Sequence, residues 1–249
     1  MMKKEYSAKF YSNRAAITSR SAQKITKILH ALIPTRTVID FGCATGIWLE
    51  QFKKLGATEV LGIDGHWVDK KLLSIDTSEY RVHDFGVERY QPPGKFDLAL
   101  CIEVAEHISE EMGAMLIDSL AEASDVILFS AAVRGQGGAG HVNEQEQSYW
   151  LALFADRGYQ AIDLIRPAVW DDEKVNVIYK QNMLLYIREE LVEQSDILRN
   201  IRISRPYEVD RIHPDLLKIK VKNFENRLHS SFSSRLKSAV WRIYSRINN

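Results

Sequence analysis

Two carboxylates and an imidazole stand within five residues at Glu103-Val104-Ala105-Glu106-His107. A second imidazole, His141, follows the glycine-rich run Arg134-Gly135-Gln136-Gly137-Gly138-Ala139-Gly140. In a turn that leads into a helix, Glu103, Glu106 and His107 can converge. Two chemistries suit such a group. An imidazole can take the proton of a hydroxyl, with His141 the first choice, His107 the second and Glu103 beside them. Alternatively Glu103, Glu106, His107 and His141 can hold a divalent cation, Mg²⁺ or Mn²⁺, that acidifies the hydroxyl directly. Plainer readings stand next to these. His107 can merely pack, His141 can sit on the surface or cap a helix, and Asn143 and Glu144 are placed as N-terminal capping residues. The glycine run is a loop, and the dense polar side chains after it suit a lid over a binding site.

A second group of residues outlines a cradle for a nucleoside. The apolar run Val38-Ile39-Asp40-Phe41 breaks into Gly42-Cys43-Ala44-Thr45-Gly46 and then into Ile47-Trp48-Leu49-Glu50-Gln51-Phe52. Gly42 and Gly46 supply freedom in φ and let a ligand approach the backbone, and the following helix offers its first N–H groups to the same turn. The next run, Glu59-Val60-Leu61-Gly62-Ile63-Asp64, ends in an acid about twenty residues later, where it can grip the two hydroxyls of a ribose.

Alternating helix and strand patterns must position these groups. A helix is expected over Ser21–Ile33, stopped by Pro34, then strands at Thr37–Phe41, Glu59–Asp64, Tyr80–His83, Phe96–Ile102 and Val126–Ala131. Helices are expected at Ile47–Leu55, Val68–Leu73, Glu110–Ala123 and Glu146–Arg157. Gln160–Ile165 and Asn176–Ile187 read as a closing antiparallel strand pair, joined by a loop with Pro167, Trp170, Asp171 and Asp172.

The 249 residues, 45% of them hydrophobic, suffice for one α/β domain and an appendage. Charge is zero overall but segregated: about +7 in the first 36 residues, about +7 in the last 49 and about −14 between. The last segment carries Leu228, Phe232, Leu236, Val240, Ile243 and Ile247 on one helical face among Arg227, Arg235, Lys237, Arg242 and Arg246. Such a basic helix can pack on the acidic core, form a homodimer contact or lie peripherally on a membrane. The N-terminus lacks a signal-peptide pattern and no run is long enough to span a bilayer, so a cytoplasmic place is expected, with the inner membrane face as a peripheral option. Cys43 and Cys101 read as reduced thiols near each other and lining a pocket.

Asp40-Phe41-Gly42-Cys43-Ala44-Thr45-Gly46 resembles the first motif of the class I S-adenosylmethionine (SAM) dependent methyltransferases, with Ala44 in place of the middle glycine. Asp64 is similar to their ribose-binding acid, His83-Asp84-Phe85 to their adenine-side motif, and Phe96–Glu103 to their fourth strand. The resemblance covers roughly residues 36 to 190. It implies an α/β fold, a Rossmann-like doubly wound seven-stranded sheet with an antiparallel last strand, plus helical N- and C-terminal appendages. The corresponding division is a helical cap at 1–35, the methyltransferase domain at 36–190 and a basic helical extension at 191–249. It implies SAM as cofactor, held by Asp40, Gly42, Cys43, Ala44, Gly46, Asp64, Gly65, Asp84, Phe85 and Ile102. Glu-x-x-Glu-His at 103–107 resembles the cation-binding pattern of ubiquinone-biosynthesis O-methyltransferases and of small-RNA 3′-end 2′-O-methyltransferases, the latter with a further histidine for which His141 is the candidate. Gly140–Gln145 together with Tyr179-Lys180-Gln181-Asn182 resembles a bacterial group associated with glycans and secondary metabolites. The expectation is methyl transfer to a hydroxyl of a small molecule or glycan. RNA 3′-end 2′-O-methylation with a metal, small-molecule N-methylation, a non-catalytic SAM-binding scaffold and a nicotinamide-dependent dehydrogenase are the alternatives, with nucleic acid the less favoured partner.

Overall fold

The computed structural model describes residues 8–205 and 208–228. Central strands of this chain are continuous apolar runs, as strands covered on both faces must be. Thr37–Phe41 (β1), Leu98–Ile102 (β4) and Val126–Ser130 (β5) are buried almost throughout, and they carry the middle of a sheet completed by Glu59–Asp64 (β2), Tyr80–Val82 (β3), Tyr159–Ile162 (β6) and Leu184–Arg188 (β7). The order is β3-β2-β1-β4-β5-β7-β6. The first five strands run parallel, and β7, the last in the chain, lies antiparallel between β5 and β6. The expected doubly wound sheet is therefore the one that forms.

Alternate residues of each strand feed two layers. Val38, Leu98, Leu100 and Leu128 meet α1 (Ala8–Leu32), α2 (Ile47–Lys54) and α5 (Ile165–Val169), whereas Ile39, Phe41, Ala99 and Phe129 meet α3 (Glu110–Ala123) and α4 (Gln147–Ala155). The chain winds outward from β1 to β3 and then returns to place β4 on the other side of β1. That reversal opens a crevice at the carboxyl ends of the strands, where open α/β sheets bind ligands.

The expected closing strand pair is shorter than its sequence suggests. β6 stops at Ile162, and Val177–Asn182 is a helix, α6. Asn176 caps it by accepting from the Ile178 N–H at 3.1 Å, while its own N–H donates to Ser21 Oγ of α1 at 3.0 Å. This cap and the tie to α1 override the strand preference of Val175, Val177 and Ile178. The helix expected at Val68–Leu73 is a single 3₁₀ turn at Lys70–Leu72, and α1 starts well before Ser21.

The first compact unit extends to Arg211, beyond the boundary expected at 190. Three ties hold the additional segment. Val192 of α7 (Glu189–Glu193) is fully buried, Ile203 N–H donates to Ala161 O at 2.8 Å, and the buried Arg166 guanidinium pairs with Asp163 and donates to Val209 O at 2.7 Å. A second unit starts at Ile212, and its described part is a helix over residues 214–228. Of the amphipathic face expected from Leu228 to Ile247, all but Leu228 lies outside the described residues. Among the described residues no helix is long and apolar enough to cross a membrane.

Candidate active site

A cavity of about 370 Å³ opens in the crevice beyond β1, β2 and β4, a size suited to a small-molecule ligand. Its floor is the turn after β1. Gly42 has φ +82°, and a Cβ there would lie 2.3 Å from Val104 Cγ2, so the turn has no room for a side chain. Ala44 adopts φ +48°, the left-handed conformation that the missing glycine would take freely. Its N–H donates to Asp64 Oδ2 at 2.8 Å, which holds the strained residue in place. Asp64 Oδ1 accepts from Gly65 N–H at 2.6 Å, and the Trp67 side chain hydrogen-bonds to the same carboxylate. Burial pushes Asp64 up to about 6 despite these donors. Asp40 is pushed to about 8, by burial first and by the Asp64 charge second, and among the described residues its Oδ2 has no partner.

Of the expected cofactor residues, Asp40, Gly42, Cys43, Ala44, Asp64, Asp84, Phe85 and Ile102 all line this cavity. Gly46 and Gly65 lie behind the wall: Gly46 caps α2, and Gly65 braces Asp64 through its N–H. Asp84 Oδ1 accepts from Gly86 N–H at 2.9 Å, and Phe85 packs on Phe41 with ring centroids 5.8 Å apart. Cys43 is in the wall, whereas Cys101 belongs to the core layer on the opposite face of the sheet, because successive strand side chains alternate faces. Both thiols are free and buried, and burial raises both.

Glu103, Glu106, His107 and His141 line the other end of the same cavity. Glu103 terminates β4 with φ +56°, a conformation uncommon for a non-glycine residue and frequent at functional sites. Ala105–His107 is a 3₁₀ turn. The chain after the glycine loop is strapped onto that turn: Val142 and Asn143 N–H both donate to Glu106 O, at 2.8 and 3.1 Å, and Asn143 Nδ2 donates to Ala105 O at 3.3 Å. The strap brings His141 against His107, ring centroids 4.8 Å apart. One ligand atom each from Glu106, His107 and His141 fall within 4.8 Å of one another, and Glu103 stands outside this trio. Burial raises both acids, Glu106 further because Glu103 is beside it, and Glu106 Oε2 is buried without a partner among the described residues.

The expected capping roles of Asn143 and Glu144 do not form. Glu146 occupies the N-cap of α4, Asn143 is spent on the strap, and Glu144 accepts from Gly135 N–H, Gly137 N–H and His141 Nδ1. A chain of buried amides completes this end. Gln147 Nε2 donates to Asn182 Oδ1 at 3.5 Å, and Asn182 Nδ2 donates at 3.0 Å both to Glu103 Oε1 and to Gln136 Oε1. Gln136 Oε1 also accepts from Val133 N–H, which leaves its amide nitrogen as the pole for the cavity it lines. No apolar setting marks these residues in the sequence: Gln147 belongs to the polar run Asn143-Glu144-Gln145-Glu146-Gln147-Ser148, and Asn182 ends Lys180-Gln181-Asn182. The lining carries five carboxylates, Asp40, Asp64, Asp84, Glu103 and Glu106, and no Lys or Arg among the described residues.

A family model described as a methyltransferase domain matches residues 13–130, which span α1 through β5 and hold every one of the five acids. The stretch that resembles a methyltransferase domain thus holds the five parallel strands of the sheet. The ubiquinone biosynthesis O-methyltransferase of Rhodopseudomonas palustris is 36% identical to it over 106 residues, covering 39% of this chain and 39% of that protein. The chain thus spans about two fifths of the length of that curated relative. Among solved structures, a sugar N-methyltransferase from Streptoalloteichus superposes with a TM-score of 0.56 at 11% identity, over 72% of this chain and 91% of the other. Magnesium protoporphyrin IX methyltransferase from Synechocystis, with S-adenosylhomocysteine (SAH) bound, gives 0.50 at 15% identity, over 71% and 86%. These likenesses show the fold alone.

Proposed function

We propose that this chain transfers a methyl group from SAM to a hydroxyl of a small molecule or glycan. The reading is carried by one observation: a single cavity joins a nucleoside cradle (Asp64, Asp84, Phe85) to two imidazoles and two carboxylates. In the transfer the acceptor oxygen attacks the methyl carbon in line with the C–S bond. The new C–O bond forms as the C–S bond breaks, and sulfur keeps the electron pair, so positioning supplies much of the acceleration. The hydroxyl proton goes to His141. Its Nδ1 lies 2.7 Å from Glu144 Oε1, a contact that in the neutral ring favours the tautomer with its lone pair on Nε2. The acids of the lining suit a sulfonium cation, and with no Lys or Arg among its described residues the lining offers phosphate no counter-charge, which disfavours RNA ends and phosphorylated acceptors.

A second reading keeps the transfer and adds a cation. Glu106, His107 and His141 would hold Mg²⁺ or Mn²⁺, and the orphaned Glu106 Oε2 fits that role. Such an ion would acidify the acceptor hydroxyl when bound. Calorimetric titration with SAM and SAH, with and without Mg²⁺ or Mn²⁺, tests both. Binding lost in Asp64→Ala is expected; absence of binding in the wild type overturns the reading. Turnover that survives exhaustive chelation removes the cation, and label appearing only on amines removes the hydroxyl.

A further inference from the structure

The helix over residues 214–228 carries an uncovered apolar stripe. Leu217, Val221, Phe224 and Leu228 follow one another at steps of four, three and four, the spacing of a single helical face, and are 56%, 48%, 63% and 54% exposed. At 100° per residue, Lys220 and Arg227 border this stripe on one side, and Glu225 followed by Lys218 on the other, with Lys222 farther round the helix. The sequence beyond adds Arg235, Lys237, Arg242 and Arg246 and no acid, so residues 212–249 hold eight Lys and Arg against Asp215 and Glu225. A second copy of the chain would set these cations against their own kind, at a repulsive cost. A nucleic acid would use the cations and leave the apolar stripe in water.

We propose that the helix over residues 214–228 docks the protein on an anionic lipid surface, with Leu217, Val221, Phe224 and Leu228 at the acyl boundary and the flanking Lys and Arg reaching the headgroup phosphates. Long basic side chains cover apolar surface with their stems while their charges stay in the headgroup layer. This docking is independent of the methyl-transfer reading.

Co-flotation of the full chain with vesicles tests it, comparing phosphatidylcholine alone with phosphatidylcholine mixed with phosphatidylglycerol. Binding to the mixed vesicles only is expected, and it should fall at least about tenfold in high salt and in Lys218→Gln/Lys220→Gln. A comparable fall is expected in Phe224→Ser/Leu228→Ser, with circular dichroism and thermal midpoint unchanged. Equal binding to neutral vesicles, or no binding to either, overturns the proposal. So does a dimer mass by light scattering that Phe224→Ser/Leu228→Ser abolishes while vesicle binding is absent, since a second copy would then cover the stripe.

Discussion

Lowering the pH from about 7 to about 5 should weaken SAH binding about tenfold, and Asp64→Asn should remove that dependence. Asp64 is held up to about 6 by burial, and each of its oxygens already accepts one backbone N–H. Only the carboxylate has lone pairs left to accept both hydroxyls of a ribose, so the ionised form is the binding form. With a value near 6, roughly ten molecules in eleven are ionised at about pH 7 and roughly one in eleven at about pH 5. The affinity therefore falls with the ionised fraction, by about 1.4 kcal/mol. Asp40, held up to about 8, keeps its proton through most of this window and adds little to the slope. Titration calorimetry in two buffers of different ionisation enthalpy measures both the affinity and the proton released when SAH binds at the lower pH. A flat affinity profile, or an Asp64→Asn variant with the wild-type slope, would refute the reasoning.

Three other outcomes follow from the geometry. Between about pH 4 and 8 the native Asp40 carboxyl keeps a proton that the unfolded chain has lost, so stability without ligand should decline with rising pH, by up to about 1.4 kcal/mol per unit; urea midpoints for Asp40→Asn should lack that component. Gly56→Ala, at φ +102° with nothing within 4 Å among the described residues, should cost only the backbone strain of about 1–2 kcal/mol, whereas Gly42→Ala adds the Val104 clash and should lower the thermal midpoint further and abolish SAH binding. Asn182→Ala removes the donor to Glu103 Oε1 and one of the two donors to Gln136 Oε1 and should cost about 1–3 kcal/mol in chemical denaturation, with Asn182→Asp worse because it sets a third carboxyl group beside Glu103 and Glu106; equal midpoints for the two variants would contradict this.

The sheet was legible because its strands are short, largely apolar runs bounded by Gly, Pro and acids, and because β1, β2 and β4 end at residues that line the cavity. Val177–Asn182 was misread because β-branched residues favour strands wherever no cap intervenes, and the cap at Asn176 depends on a partner 155 residues away, Ser21 of α1. The clustering of Glu106, His107 and His141 was visible as composition, but the strap from Val142 and Asn143 to Glu106 O is a backbone contact that no side-chain pattern encodes. Glu144 looked like a helix cap for the same reason. Its acceptors' partners are backbone N–H groups in the glycine loop, which every residue type except proline offers equally.

Glu144 gathers two amides of a segment with four glycines in seven residues, Arg134–Gly140, and the imidazole of His141, on a single carboxylate. Ordering such a segment costs about 1–2 kcal/mol of backbone entropy per residue, and here the cost is met when the chain folds and not when a ligand arrives. The loop and the imidazole share one latch, so displacing either loosens the hold on the other.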